Sequence, residues 1–136
     1  MKMLIDTIKK IEDVLFSLES MLMQEYYYLL NSKTLNLDIL ELIENKKILF
    51  KKFIILNQHR ASLDKKYCIF APYKNNKELK NSWNEIIKKC FLLRKLNLQN
   101  KILINKKFYL NQYFLELFSS DKKYITYNLN GNLVFN

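Results

Sequence analysis

His59 is the single histidine of the chain. With Cys68, Cys90 and the serines, it is the material from which any nucleophilic site would be built. Such a site needs the nucleophile within reach of its base on a defined turn. Nothing around His59 has that form, and Gln58-His59-Arg60 reads as the exposed end of a helix. A lone histidine also gives no His-rich zinc site. A phosphate-cradling loop needs several glycines, each letting backbone approach the phosphate, and Gly131 is the only one. Carboxylates pair at Glu12-Asp13 and at Glu41 with Glu44. Neither pair sits in an apolar run that would raise its pKa, so they read as charged helix surface with weak ion pairs. These residue types predict no enzyme, no cofactor and no metal.

The elements that carry these side chains are helical. The 136 residues suit one domain, and at 49% hydrophobic and 26% charged they suit a packed core. A single proline, Pro72, and a single glycine leave little for tight turns. A first helix is predicted over 3–30. Leu4, Ile8, Ile11, Leu15, Leu18, Leu22 and Leu29 step by fours and threes, with Glu25 in the missing turn, which is a heptad seam. Residues 31–34 are turn and cap types. A second helix over 38–62 places Leu42, Leu49, Phe53 and Leu56 on one stripe, widened by Ile43, Phe50 and Ile54, with Asp38 as N-cap. Residues 65–77 read as irregular around Pro72.

A third helix over 77–118 would be about 60 Å long. Leu79, Trp83, Ile86, Cys90, Leu93, Asn97, Asn100, Ile104, Asn111, Phe114 and Phe118 share one seam. Leu92, Leu96, Leu103, Leu110 and Leu117 mark a second stripe. Two stripes require two partners, and the other helices are shorter, so part of this helix is expected to lie bare. Asn97 and Asn100 occupy seam positions, where a buried amide fixes register. Met21, Met23 and Tyr26-Tyr27-Tyr28 form a soft aromatic cluster, but successive helical residues point 100° apart, so the reading divides them between core and surface. In the tail, two β-prone runs flank Asn130-Gly131, the pattern of a hairpin. The predicted fold is all-α: an antiparallel bundle of three long helices with a coiled-coil-like hairpin over 1–118, then a loosely ordered tail over 119–136.

The net charge is +10. Nearly all the cations are lysine, with Arg60 and Arg94 the only arginines. Arginine is the favoured reader of phosphates and base edges, so a nucleic-acid partner is not favoured. An AT-biased genome also accumulates Lys, Asn, Ile and Tyr. No apolar run approaches the roughly 18 residues that span a bilayer, and charges from Asp6 to Asp13 break any signal-peptide core. Cys68 and Cys90 read as free thiols of a cytoplasmic protein.

Trp83-Asn-Glu-Ile-Ile, Leu93-Arg-Lys-Leu-Asn-Leu-Gln-Asn100, Leu103-Ile104, Leu117 and Tyr127-Asn-Leu-Asn-Gly131 together resemble the C-terminal half of the FlgN family. Glu44-Asn-Lys46, Leu49, Phe50, Phe53, Leu56 and Arg60 are similar to the family's second helix. Lys101 and Asn128 stand where that family has glycines. The resemblance implies a cytoplasmic chaperone that binds the C-terminal segments of the hook-associated proteins FlgK and FlgL and docks on the export-gate protein FlhA. Client contact would fall to Asn97, Asn100, Leu103, Leu110, Phe114 and Leu117, and gate contact to Tyr127. The chain would be a monomer or homodimer, without membrane insertion. Two other classes stay open: a basic helical nucleic-acid binder, which lysines clustered on one face would favour, and a structural coiled coil, which a stable dimer would favour.

Overall fold

The computed structural model describes residues 1–32, 37–118, 125–127 and 133–135, with side chains for 1–32 and 37–107. Three helices, α1 (Lys2–Asn31), α2 (Leu37–Tyr67) and α3 (Lys77–Phe118), are followed by strands β1 (Ile125–Tyr127) and β2 (Leu133–Phe135). The strands pair antiparallel with Ile125 opposite Phe135. The Asn130-Gly131 turn, the order of the tail as a whole and the second half of the 31–34 turn lie outside the described residues.

The seam of α1 explains the bundle. All seven of its apolar positions are buried, and Glu25 with them. Burying each such aliphatic side chain is worth roughly 1.5–3 kcal/mol, so the seam fixes which face of α1 points inward. The backbone of α1 comes within 8 Å of both α2 and α3, whereas α2 and α3 share no such approach. They meet through side chains: Lys46 reaches Asn97, Arg60 lies over Trp83, and apolar residues of both helices enter the same core clusters. Rising numbers on α2 meet falling numbers on α3, so these two run in opposite directions. Between α1 and α3, Glu19 meets Lys89 and Leu22 meets Asn100, rising together.

The core divides into two clusters. The larger gathers Leu4 to Leu22 of the seam with Leu63, Tyr73, Leu79, Ile86 and Leu93. The smaller holds Leu29, Ile39, Ile43 and Ile104. The mid-α2 stripe of Leu49, Phe50, Phe53 and Leu56 is half-buried against the larger cluster. Ile54 is 54% exposed, so the stripe is narrower than its sequence suggested.

The end of α2 differs from expectation. The helix runs on to Tyr67, five residues past the predicted end, and Arg60 is buried rather than terminal. The stop is made by Cys68, which takes a left-handed φ of 55°. Its amide bonds the Lys65 carbonyl at 3.4 Å, and that of Ile69 bonds the Asp64 carbonyl at 3.1 Å, the paired bonds of a Schellman cap. Asn76 opens α3, its Oδ1 accepting from the Leu79 amide at 3.1 Å.

Arg60 is held by partners distant in sequence. Its Nη1 donates to Asp64 Oδ2 at 2.6 Å and to the Tyr73 hydroxyl at 3.0 Å. The Tyr73 hydroxyl in turn donates to Asp64 Oδ1 at 2.8 Å. Half-buried Trp83 closes the cluster, edge-on to Tyr73 at 5.8 Å and beneath the guanidinium at 4.5 Å. Removing one partner strands a buried charge, so Asp64→Ala should destabilise the fold by about 3–5 kcal/mol, read from a shifted urea midpoint at unchanged slope. Burial pushes the Tyr73 phenol up to about 12, the Arg60 hydrogen bond opposing and the Asp64 hydrogen bond adding to the shift. Its stabilising contribution is therefore complete below its ordinary value of 10.0 and lost as pH rises towards 12. The melting temperature should fall across that window more steeply in the wild type than in Tyr73→Phe; parallel curves would refute this.

Replacing Cys68 by glycine should raise stability by up to about 1 kcal/mol, since a left-handed residue with a Cβ costs about 1–2 kcal/mol and glycine gives part of that back in chain entropy. A lowered melting temperature for Cys68→Gly would count against the cap.

Candidate partner-binding site

The residues expected to meet a partner are all on α3 or beyond it, and α3 is fixed by a polar layer. Lys46 of α2 donates from Nζ to Glu25 Oε1 of α1 at 3.2 Å and to Asn97 Oδ1 of α3 at 3.0 Å. The same ammonium lies 3.1 Å from Glu25 Oε2. One side chain from each helix thus converges where Glu25 is 1% and Lys46 7% exposed. Asn100, also buried, donates from Nδ2 to the Leu22 carbonyl at 2.9 Å. This layer lies between the two apolar clusters. Desolvating its charges costs several kcal/mol each unless the pairing is kept, so a slip of α3 along α1 is resisted.

Asn97 and Asn100 are therefore turned into the bundle, on α2 and α1. Leu103 is half-buried against the smaller cluster. Lys107 donates from Nζ to the Ser32 carbonyl at the end of α1. From there α3 continues to Phe118, about 16 Å at 1.5 Å per residue, past the level where α1 ends and α2 begins. Leu110, Phe114 and Leu117 fall on this extension, in helical register with Leu103 within an arc of roughly 60°; their side chains, like that of Tyr127, lie outside the described residues. Lys101 is partly exposed.

The sequence reading missed two features. The Glu25–Lys46 pair looks like ordinary surface charge in one dimension, although Glu25 falling on an apolar seam is a signal. The other is an open cleft of about 720 Å³ between α1 and α2, bordered by Met23, Tyr27, Tyr28, Asp38, Glu41 and Leu42. Tyr27 and Tyr28 stand edge to face at 6.3 Å. Neighbours 100° apart can both face a cleft that spans two helices, so the aromatic cluster is less divided than predicted.

The nucleophile candidates stay apart from this layer. His59 is exposed on α2. Cys68 and Cys90 are free thiols, and burial pushes the Cys90 thiol up. Among the described residues, no three His, Cys, Asp or Glu side chains are placed to hold a metal. Within the same residues, no helix is long and apolar enough to cross a membrane.

The described residues thus form a three-helix scaffold held in register by one polar layer. The family model described as FlgN protein matches residues 1–134. A protein of Buchnera aphidicola subsp. Acyrthosiphon pisum (strain APS), named flagella synthesis protein FlgN, is 65% identical over 133 residues, covering 98% of each chain. One of the same name from Buchnera aphidicola subsp. Schizaphis graminum (strain Sg) is 43% identical over 136 residues, covering 98% of this chain and 99% of its own. No solved structure matches. The chain belongs to the FlgN family.

Lys46→Ala alone should destabilise the bundle by about 3–5 kcal/mol, because it leaves Glu25 buried and unpaired. Joint replacement of Glu25, Lys46 and Asn97 by leucine should recover most of that stability while relaxing register. Denaturant midpoints check the first effect, and duplicated amide resonances the second. A triple variant as unstable as Lys46→Ala would refute the account of the layer.

Proposed function

We propose that this FlgN-family chain is a cytoplasmic export chaperone for the flagellar hook-associated proteins. It holds the C-terminal segment of a client such as FlgK or FlgL, keeps it from assembling early and delivers it to the flagellar type III export gate. It catalyses no reaction. The family match along 1–134 carries this reading, supported by relatives named for flagella synthesis that align over nearly their whole length.

The client groove is placed on the projecting end of α3. Leu103, Leu110, Phe114 and Leu117 supply apolar anchors at helical spacing for an amphipathic client helix. Asn97 and Asn100 hold the groove at fixed height on the bundle. A client segment that folds on binding gives up roughly 2–5 kcal/mol in ordering, so its affinity is moderate and its release needs no nucleotide. The tail, 119–136, acts apart from the bundle of 1–118, and Tyr127 on β1 docks on FlhA.

Calorimetric titration with a peptide from the C-terminus of the organism's hook-associated protein tests the reading. Saturable binding with a negative heat-capacity change, kept at high salt, is expected. Leu110→Asp with Leu117→Asp should abolish it without loss of helical signal. Normal binding by that variant would sink the groove, and no binding by the wild type would sink the chaperone reading.

A further inference from the structure

We infer that the outward face of α3 is a second docking surface, shaped for an acidic amphipathic helix of a partner protein. At 100° per residue, Ile87, Phe91, Leu98 and Ile102 fall within an arc of roughly 60°, about 120° around the helix from the buried seam. They line up over about 22 Å. All four are exposed, Phe91 at 68% and Leu98 at 59%. No described helix covers them, since α1 lies against the seam.

Charge identifies the occupant. Lys80, Lys88, Arg94, Lys95 and Lys106 flank or interrupt this stripe within an arc of roughly 120°, and no carboxylate of residues 80–106 falls inside it. Glu78 and Glu85 lie towards the far side of the helix, although Lys88 makes a loose exposed pair with Glu85 at 3.5 Å. Lys80, Arg94 and Lys95 form no ion pair among the described residues. Ile87, Phe91 and Leu98 keep the four-three spacing of a helix–helix seam with Arg94 at the intervening position, and Lys88, Lys95 and Lys106 run along one edge. A partner helix with an apolar stripe and acidic flanks matches it in both respects. A nucleic-acid backbone would use the cations and leave the apolar line uncovered. A lipid surface would reward a broad apolar face, and this one is a single line of side chains.

The test uses the full chain and a labelled synthetic helical peptide with leucine at its heptad core and glutamate on its flanks. Its counterpart carries lysine on the flanks. The acidic peptide should bind at least about tenfold tighter than the basic one. Phe91→Ser with Leu98→Ser should weaken it by about tenfold or more, and Arg94→Glu with Lys95→Glu should shift preference towards the basic peptide. Far-ultraviolet circular dichroism should stay unchanged in both variants. The Leu110→Asp, Leu117→Asp protein should bind the acidic peptide normally, which separates this surface from the client groove. Duplex DNA or phosphatidylglycerol vesicles that bind through the same cations, indifferent to Phe91 and Leu98, would overturn the proposal. So would acidic-peptide binding that the Phe91, Leu98 variant leaves intact.

Discussion

One lysine ammonium sets the height of three helices. The backbones of α2 and α3 do not approach each other, so only side chains of some length can join them. Lys46 spans the gap to Asn97 while neutralising Glu25, and a shorter residue would leave the carboxylate alone in an apolar interior. The layer thereby converts a general affinity between apolar faces into one alignment. A heptad seam by itself tolerates a slip by one repeat, because leucine meets leucine again. A charge that must find its partner does not.

The Arg60 cluster repeats the device at the other end of the bundle. Lys46 and Arg60 are fourteen residues apart on α2, as are Trp83 and Asn97 on α3. Fourteen residues are close to four full turns, so both links leave the same face of each helix. Two links of equal spacing hold α2 and α3 at one relative height along their shared length. Between them α2 offers only half-buried side chains. The pair is joined at those two links and at the buried apolar residues beside them, Ile39 and Ile43 near one and Leu63 near the other, and each link also rests on α1 or on the loop that carries Tyr73.

Local pattern made much of this legible. The seam of α1, the bounds of α3 and the scarcity of glycine and proline each report on one element at a time, and each led to the helix observed. Pairing of β1 with β2 was likewise visible in two short β-prone runs. What escaped depends on residues far apart in the chain. Arg60 and Asp64 look like the polar end of a helix until Tyr73 and Trp83 arrive to bury them, which is why α2 was ended early. Glu25 was placed on the seam, but its cation lies twenty-one residues away on another helix. Asn97 and Asn100 are legible as register devices from their seam positions, and the structure turns both into the bundle, away from the surface a partner would meet. The outward stripe of α3 is hard to read in one dimension because it is short and Arg94 interrupts it, whereas the two longer stripes continue over the whole segment.

The central position of α1 has a consequence for synthesis. Its seam is finished when the ribosome has made only the first thirty-one residues, yet the helix that covers one side of it is completed only near Lys107. At bacterial elongation rates of about 5–20 residues per second, that interval is roughly 4–15 s. For those seconds the nascent chain carries a full row of leucine and isoleucine with at most one neighbour in place. A protein of this design is itself exposed to aggregation before it is finished, and a carboxylate breaks that adhesive row only near its far end, at Glu25.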